Sequence, residues 1–274
     1  MVKNLDGTFL KSRVKKMTLI RLIDPLIMPW VALRVLVRIL VGRHKRNNIF
    51  TQVGWGRPDS FWLSLGFPKH LIRSWLIKTL HQSVVEATHE PKVSTFLLNK
   101  FGELFVDVGA NHGYFSFLLY RNFKRLIAVE PHPENLDIIK AVKQVYNYPR
   151  VETLPIALNS HNGEVNLYIG SHSGGHSIFR YGRFIKTGEF IKVPAKTLTS
   201  IIVDNDVDVD LIKVDVEGAE WRVLEGTNSV MDRIQSWLIE LHDVARKHDL
   251  EDFFEALGYN HRWINRNHFY AFRR

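Results

Sequence analysis

The sequence has no cysteine, which excludes disulfide bonds and metal sites built from thiolates. Long apolar runs are also missing from its basic N-terminal segment, where the longest uncharged stretch covers residues 25–33. A membrane-spanning helix needs roughly 20 apolar residues, so this segment does not predict one. The 274 residues, 45% of them hydrophobic and 24% charged, are typical of a folded soluble protein with one core and a smaller attachment.

Acidic residues are scarce in the first fifty positions, which hold only Asp6 and Asp24 beside 11 Lys and Arg. The rest of the chain carries 26 basic and 26 acidic residues, so the net charge of +9 comes from this segment. A basic, apolar stretch at residues 17–46 predicts contact with an anionic membrane surface, with the core, or with a second subunit in a homo-oligomer. The neutral body does not predict a nucleic-acid-binding protein. We expect a cytoplasmic protein, peripheral on the inner face of the membrane if the first alternative holds.

A boundary is predicted near residue 100. Residues 1–100 form a basic, apolar, mostly helical extension, and residues 101–274 alternate short apolar runs with helical patterns. Such alternation is typical of an α/β domain with a mostly parallel sheet. The predicted strands are Leu104–Val108, Arg125–Glu130, Val151–Ala157, Asp210–Val214, Ser236–Leu241, Tyr259–Ile264 and Phe269–Phe272. Helices are predicted at Tyr114–Asn122, Glu134–Tyr146, Glu220–Glu225 and Leu250–Leu257, with an insertion of extended segments between the third and fourth strands.

In the stretch "FVDVGANHG", the first predicted strand is followed directly by a short polar turn. Glycines at 109 and 113 allow a sharp turn and a close approach of the backbone to a ligand. The spacing differs from the dinucleotide fingerprint G-x-G-x-x-G, and Asp107 would repel a pyrophosphate. The turn therefore favours a cationic or amino-bearing ligand. Glu130 follows Gly109 by 21 residues at the tip of the second strand, where a carboxylate can accept both hydroxyls of a ribose.

Two further strand ends concentrate groups that can move protons. In "DLIKVDVEGAE", Lys213, Asp215 and Glu217 alternate, and in "WLIELHD", Glu240 and His242 share a face. This set could act in general-base catalysis, with His242 as the acceptor because its ordinary pKa lies near neutrality. Alternatively, Asp215, Glu240 and His242 could bind a divalent cation such as Mg²⁺. A purely structural pair of Lys213 and Asp215 is the plain alternative.

The stretches "FVDVGANHGYFS", "AVEPHPEN", "IALNSHNGEVNLYIG" and "DLIKVDVEGAEWRVLEG" resemble the FkbM family of S-adenosylmethionine-dependent methyltransferases. The resemblance implies a class I methyltransferase (Rossmann-like) fold with strand order 3-2-1-4-5-7-6 and an antiparallel seventh strand. It implies that Asp215 and Glu217 lie beside the transferred methyl group. Together with His242, assigned above from its position, they form the predicted catalytic group. It further implies that S-adenosylmethionine is bound by Asp107, Gly109, Ala110, Asn111, Gly113, Glu130 and Ala157.

The expected function is methyl transfer to a hydroxyl of a small molecule, sugar, glycan or lipid-linked acceptor. Two alternatives stay open at this point. An NAD(P)-dependent oxidoreductase would use the same sheet topology, and a non-catalytic membrane-associated protein would keep the fold without its chemistry. The glycine spacing and Asp107 weigh against the first of these.

Overall fold

The structure is a computed structural model that describes residues 69–227 and 229–273. Predictions about the basic segment at residues 17–46, and about most of the extension that ends at residue 100, lie outside these residues. The described residues from Leu80 onward belong to one compact unit. None of the described helices is both long and apolar enough to cross a membrane.

Ten strands form two sheets in the described part of the chain. The strands are β1 (Gly102–Val108), β2 (Phe123–Val129), β3 (Val151–Leu154), β4 (Ala157–Leu158), β5 (Gly163–Gly170), β6 (Ile185–Lys196), β7 (Leu211–Val214), β8 (Ser236–Glu240), β9 (Asn260–Trp263) and β10 (His268–Phe272). The main sheet has the order β3-β2-β1-β7-β8-β10-β9, and β10 is antiparallel to both of its neighbours. When only the strands of this sheet are counted along the chain, the order is 3-2-1-4-5-7-6. The predicted class I methyltransferase order, with its antiparallel last strand, is therefore confirmed.

Seven α-helices accompany these strands among the described residues. They are α1 (Lys69–Glu86), α2 (Pro91–Leu97), α3 (Tyr114–Leu118), α4 (Pro133–Tyr146), α5 (Leu198–Asn205), α6 (Glu220–Glu225) and α7 (Lys247–Ala256). Side chains of β1 alternate between the two faces of the sheet. Leu104, Val106 and Val108 join a core cluster with buried residues of α5, α6 and α7. Phe105, on the other face, packs its ring 5.5 Å from that of Phe123.

The chain changes direction in the sheet between β1 and β7. From β1 it moves outward through β2 to β3, and from β7 it moves the other way to β8. All of these pairs are parallel, so the carboxyl ends of β1, β2 and β7 lie at one edge. In open α/β sheets, ligands bind at such a point of reversal. We therefore expect the ligand-binding site at the loops that follow these three strands.

The third strand is shorter than predicted. The sequence pattern indicates one strand over Val151–Ala157, whereas β3 ends at Leu154 and Ala157 begins β4 in the second sheet. Pro155 lies between them, and its missing N–H cannot contribute to a strand ladder. The second sheet has the order β4-β6-β5 and contains the extended segments that the sequence predicts for the insertion.

Helix α5 is absent from the predicted elements. Its sequence, "LTSIIVDN", is rich in β-branched residues, which favour strands. Thr197 begins the helix as its N-cap, with the side-chain oxygen accepting a hydrogen bond from the Ser200 N–H at 3.0 Å. The cap and the apolar face of the helix against the core outweigh the local preference.

Candidate active site

A cleft open to solvent lies beyond the carboxyl ends of β1, β2 and β7. Six of the residues predicted for cofactor binding or catalysis line it: Gly109, Asn111, Glu130, Ala157, Asp215 and Glu217. The other predicted residues are not in its wall: Asp107, Ala110, Gly113, Glu240 and His242. The cleft therefore brings together residues from three strand ends and from the start of β4.

The turn after β1 is shaped by packing against the loop after β7. Gly109 has φ +75, and a Cβ atom there would lie 1.8 Å from the carbonyl oxygen of Asp215. Gly113 has φ +83, and a Cβ there would meet the ring of Phe117 at 2.9 Å. Glycine is therefore required at both positions by packing within the protein, and at Gly113 the close neighbours are Phe117 of α3 and Ile139 of α4.

Asp107 supports this turn from below. Its side chain is 1% exposed, and Oδ2 accepts hydrogen bonds from the Ser116 N–H at 3.0 Å and the Ser116 hydroxyl at 2.7 Å. Burial raises the pKa of Asp107, and the nearby charge of Lys213 opposes that rise. Through the two bonds with Ser116, Asp107 fixes the start of α3 in the described structure. Its Oδ1 has no hydrogen-bond partner, and the residue does not line the cleft.

Glu130 is held at the cleft by three N–H donors. Oε2 accepts from the Asn111 N–H at 2.8 Å, and Oε1 accepts from the His132 N–H at 2.9 Å and the Asn135 amide at 3.2 Å. Burial outweighs these bonds and raises the pKa of Glu130 to about 7. The carboxylate is thus oriented in advance, with Oε2 able to accept a further hydrogen bond.

A buried ion pair lies at the end of β7. Lys213 Nζ is 3.0 Å from Asp215 Oδ2, and the Lys213 side chain is 2% exposed. Burial acts to raise the pKa of Asp215, but the Lys213 ammonium overcomes this effect and holds it below its ordinary range. The same ammonium lies 4.7 Å from the ring centre of Phe115. Asp215 is therefore ionised at neutral pH and faces the cleft.

The loop after Asp215 presents Glu217 in a strained conformation. Glu217 has φ +49, which is unusual for a residue with a side chain, and Gly218 follows with φ +97. The Ser177 hydroxyl donates to the Glu217 carbonyl at 2.8 Å, which ties this loop to the insertion. Burial raises the pKa of Glu217 to about 7, against the lowering effect of the His242 charge. Strained residues of this kind often occur at functional sites.

His242 lies among three carboxylates. Its Nδ1 is 2.8 Å from Glu220 Oε1, and its Nε2 is 3.3 Å from Glu217 Oε2 and 4.0 Å from Asp215 Oδ1. Burial lowers the pKa of the ring, but the hydrogen bond with Glu220 and the surrounding negative charge raise it overall to about 9. The ring is an imidazolium at neutral pH. A protonated ring can stabilise the negative charge of the Glu217 carboxylate. It cannot accept a proton, which is the role that the free pKa of histidine suggests.

Glu220 is a part of the site that the sequence analysis did not assign. It begins α6, is 1% exposed, and also accepts the Gly218 N–H at 3.0 Å. One carboxylate therefore fixes both the glutamate loop and the histidine. Its position two residues after Gly218 is the signal that could have revealed it, since a carboxylate in the first turn of a helix can reach back to preceding N–H groups.

The insertion contributes another part of the cleft wall through Ser173, Gly174, His176 and Ser177. His176 Nδ1 accepts the Gly170 N–H at 3.0 Å, and the ring stacks 4.1 Å from that of His132. Burial lowers the pKa of His176 to about 3, so the ring is neutral. The loop between β5 and β6 that carries these residues thus borders the cleft.

The metal set predicted from sequence is close in space. Ligand atoms of Asp215, Glu240 and His242 all lie within 4.8 Å of one another. However, both ring nitrogens of His242 face carboxylates, and an imidazolium has no lone pair to give a cation. Its contacts favour the ion-paired ring, and the metal assignment stays a prediction.

The sequence profile of the methyltransferase FkbM domain matches residues 107–260, which is more than half of the chain. The chain belongs to the FkbM methyltransferase family. No protein with a curated description matches it. The matched residues include all three strand ends that form the cleft.

Several solved structures are similar to this chain at low sequence identity. The methyltransferase FkbM of Methylobacillus flagellatus KT is 18% identical, with a TM-score of 0.46 over 75% of this chain and 54% of that one. The M. capricolum TrmK, in complex with S-adenosylhomocysteine, is 12% identical, with a TM-score of 0.38 over 65% of each chain. An rRNA methylase of Streptococcus thermophilus is 11% identical, with a TM-score of 0.40 over 67% of this chain and 93% of that one. The chain thus spans about half the length of its M. flagellatus relative.

Proposed function

We propose that the protein transfers a methyl group from S-adenosylmethionine to a hydroxyl group of its acceptor. The observation that carries the proposal is Glu217, whose carboxylate lines the cleft with a pKa raised by burial to about 7. A general base works best when its pKa lies near the working pH. Family membership supports the reaction class.

The cleft residues fit S-adenosylmethionine, which supplies an electrophilic methyl group on a sulfonium. Glu130 Oε2 has room for a ribose hydroxyl, since it accepts only the Asn111 N–H among the described groups. The side-chain oxygen of Asn111 is buried without a partner, and a donor from the ligand would satisfy it. Ile156, Ala157 and Leu158 offer apolar surface for an adenine ring.

Charge favours this ligand over a dinucleotide. Glu130, Asp215 and Glu217 line the cleft, and the described lining includes no lysine or arginine. A sulfonium and an ammonium group are attracted by three carboxyl groups, whereas a pyrophosphate would be repelled by them. The residues therefore support a methyltransferase more than an NAD(P)-dependent oxidoreductase.

Glu217 would act as the catalytic residue. As the acceptor oxygen attacks, its proton would pass to the Glu217 carboxylate. His242, whose Nε2 is 3.3 Å from Glu217 Oε2, would keep that carboxylate charged beforehand. Asp215, held ionised by Lys213 at 3.0 Å, would add negative potential to the same wall. Positioning contributes a large share of such a displacement, because the donor and acceptor must be in line.

For the acceptor, we propose a hydroxyl on a sugar, glycan or lipid-linked glycan. This choice rests on the family resemblance and on the basic, apolar residues 17–46, which could hold the enzyme at a membrane surface. Those residues lie outside the described part of the chain. Sedimentation with anionic liposomes, for the full chain and for a form lacking the first fifty residues, tests the surface contact. If both forms stay in the supernatant at low salt, the contact does not occur.

The reaction itself can be tested with the full chain, methyl-labelled S-adenosylmethionine and cell-envelope extracts. We expect label in the glycan or glycolipid fraction, and mass spectrometry should find added CH₂ on a hydroxyl. Glu217→Gln should abolish incorporation, and His248→Gln, at an exposed histidine outside the cleft lining, should not. Unchanged incorporation by Glu217→Gln would rule out the base assignment, and a non-catalytic protein would transfer no label at all.

The same assay tests the predicted divalent cation at Asp215, Glu240 and His242. Chelation by EDTA should leave label incorporation unchanged if His242 acts as an ion-paired imidazolium. Loss of incorporation with EDTA, restored by Mg²⁺, would instead support the cation hypothesis.

A further inference from the structure

A second group of side chains that could hold a metal ion lies outside the cleft lining. Glu90 precedes α2, Glu240 ends β8, and His268 begins β10 directly opposite Glu240 in the strand register. His268 Nε2 is 3.2 Å from Glu90 Oε2 and 3.5 Å from Glu240 Oε2. We call these residues the Glu90–Glu240–His268 cluster. Only Glu240 is shared with the metal set predicted from sequence.

The surroundings of His268 fix which ring nitrogen carries a proton. Asn265 Oδ1 accepts two backbone N–H groups, from Asn267 at 3.0 Å and from His268 at 2.9 Å. These donors identify the atom as oxygen, so His268 Nδ1, 3.1 Å away, must donate to it. A histidine that binds a metal through one nitrogen characteristically donates from the other to an oxygen in this way. The Nε2 lone pair is then available on the side that faces the two glutamates.

The facing atoms lack the hydrogen bonds that a simple ion pair would make. His268 is 3% exposed, and neither its Nε2 nor Glu90 Oε2 has a hydrogen-bond partner. The two atoms lie 3.2 Å apart. Buried polar atoms without partners are rare and often indicate a missing ion or water.

Glu240 is arranged to complete the set. Its Oε1 accepts the side-chain amide of Asn267 at 2.6 Å, which leaves Oε2 toward the histidine. The ligand atoms of Glu90, Glu240 and His268 all lie within 4.8 Å of one another. Two carboxylates and one imidazole match a three-ligand metal site with one position left for water.

We propose that the Glu90–Glu240–His268 cluster binds a divalent transition-metal ion, with Zn²⁺ the best match. Four ligands about 2.0–2.1 Å from Zn²⁺ in a tetrahedron lie about 3.3–3.4 Å from each other. The two nitrogen–oxygen separations of 3.2 and 3.5 Å bracket that value. Octahedral Mg²⁺ would bring neighbouring ligands to about 2.9 Å and prefers oxygen throughout. The site goes beyond the proposed methyl transfer, because no step of that reaction depends on it.

The ion would join three segments that are far apart in the chain. Glu90 belongs to the segment before the first strand, and Glu240 and His268 belong to neighbouring antiparallel strands. A ligand that binds only the folded state stabilises it by mass action. Binding should therefore raise the melting temperature of the full chain.

The test uses full-length protein stripped with EDTA and titrated with ZnCl₂ by calorimetry. We expect wild type to bind Zn²⁺ at this site, and Glu90→Gln and His268→Ala to weaken that binding about tenfold or more. Zinc should also raise the melting temperature of wild type and not of these variants. Glu90→Gln guards against misfolding of the second variant, since the Glu90 side chain is 30% exposed.

Two matched histidine variants complete the design. His248→Ala removes an exposed histidine 3.0 Å from a glutamate, and His242→Gln removes the ring of the neighbouring set. Both should bind Zn²⁺ as wild type does. The proposal is overturned if wild type does not bind, if Glu90→Gln binds like wild type, or if His242→Gln alone loses binding.

Discussion

Replacing His242 by glutamine tests how the charge state of Glu217 is set. Glutamine keeps an N–H donor for Glu220, the buried carboxylate 2.8 Å from the ring, but removes the positive charge 3.3 Å from Glu217 Oε2. Unit charges at that distance interact with about 1 kcal/mol in water and about 5 kcal/mol at an effective dielectric constant near 20. Both side chains are partly exposed, at 25% and 17%, so the value should lie between these limits.

The expected result is a higher pKa for Glu217. Burial already raises it to about 7, and the imidazolium opposes that rise. Since about 1.36 kcal/mol corresponds to one pH unit, removing the imidazolium should move the titration of Glu217 upward by about one pH unit or more. Glu217 would then ionise at higher pH. The acid limb of the pH–rate profile would move to higher pH with it.

The assay is a ¹³C NMR titration of glutamate carboxyl groups in the full-length protein. Glu217→Gln assigns the resonance, and His248→Gln serves as the control because its ring is 91% exposed and pairs with another glutamate. If Glu217 titrates in the ordinary range near 4.5 in wild type, or at the same pH in wild type and His242→Gln, then burial and the imidazolium do not set its charge state.

Three further predictions follow from the cleft and its supports. Glu130→Gln should weaken the binding of S-adenosylhomocysteine about tenfold, the value of one hydrogen bond to a charged group. In wild type, the affinity should rise with pH through about 7 as the Glu130 carboxylate ionises. Calorimetry should find that this pH dependence is lost in the variant. Gly109→Ala should unfold at lower denaturant than Gly258→Ala, since both have positive φ but only Gly109 would place a Cβ 1.8 Å from a carbonyl oxygen; equal midpoints would contradict the packing argument. Lys213→Met should destabilise the protein by about 3–5 kcal/mol at neutral pH. Because the pKa of Asp215 is lowered in the folded protein, the stabilisation from its pair with Lys213 is present above the unfolded pKa near 3.8 and is lost as pH falls through the folded pKa. Wild type and variant should therefore converge in acid denaturation.

The sheet could be predicted from the sequence because its strands are short apolar runs that end in distinctive turns. Parallel topology then brings the ends of β1, β2 and β7 to one edge, so Gly109, Glu130 and Asp215 could be assigned to one cleft without coordinates. The break at Pro155 and the helix at Leu198–Asn205 were missed, because local preferences for strand compete there with a change of sheet and with a capped, packed helix.

The protonation of the site could not be predicted in the same way. The free pKa of histidine suggests that His242 accepts protons, but its charge depends on Glu220 and Glu217 at specific distances. Likewise, Glu240 and His268 lie on different strands and meet because β10 pairs with β8, and Glu90 reaches His268 from the segment before β1. Such contacts depend on tertiary distances that no local pattern encodes.

The identity of the bound cofactor is best measured by calorimetric titration of the full chain with S-adenosylhomocysteine, with NAD⁺ in a parallel experiment. We expect S-adenosylhomocysteine to bind, NAD⁺ not to bind, and Glu130→Gln to weaken the binding of S-adenosylhomocysteine. Binding of NAD⁺ in place of S-adenosylhomocysteine, or of neither, would contradict this expectation.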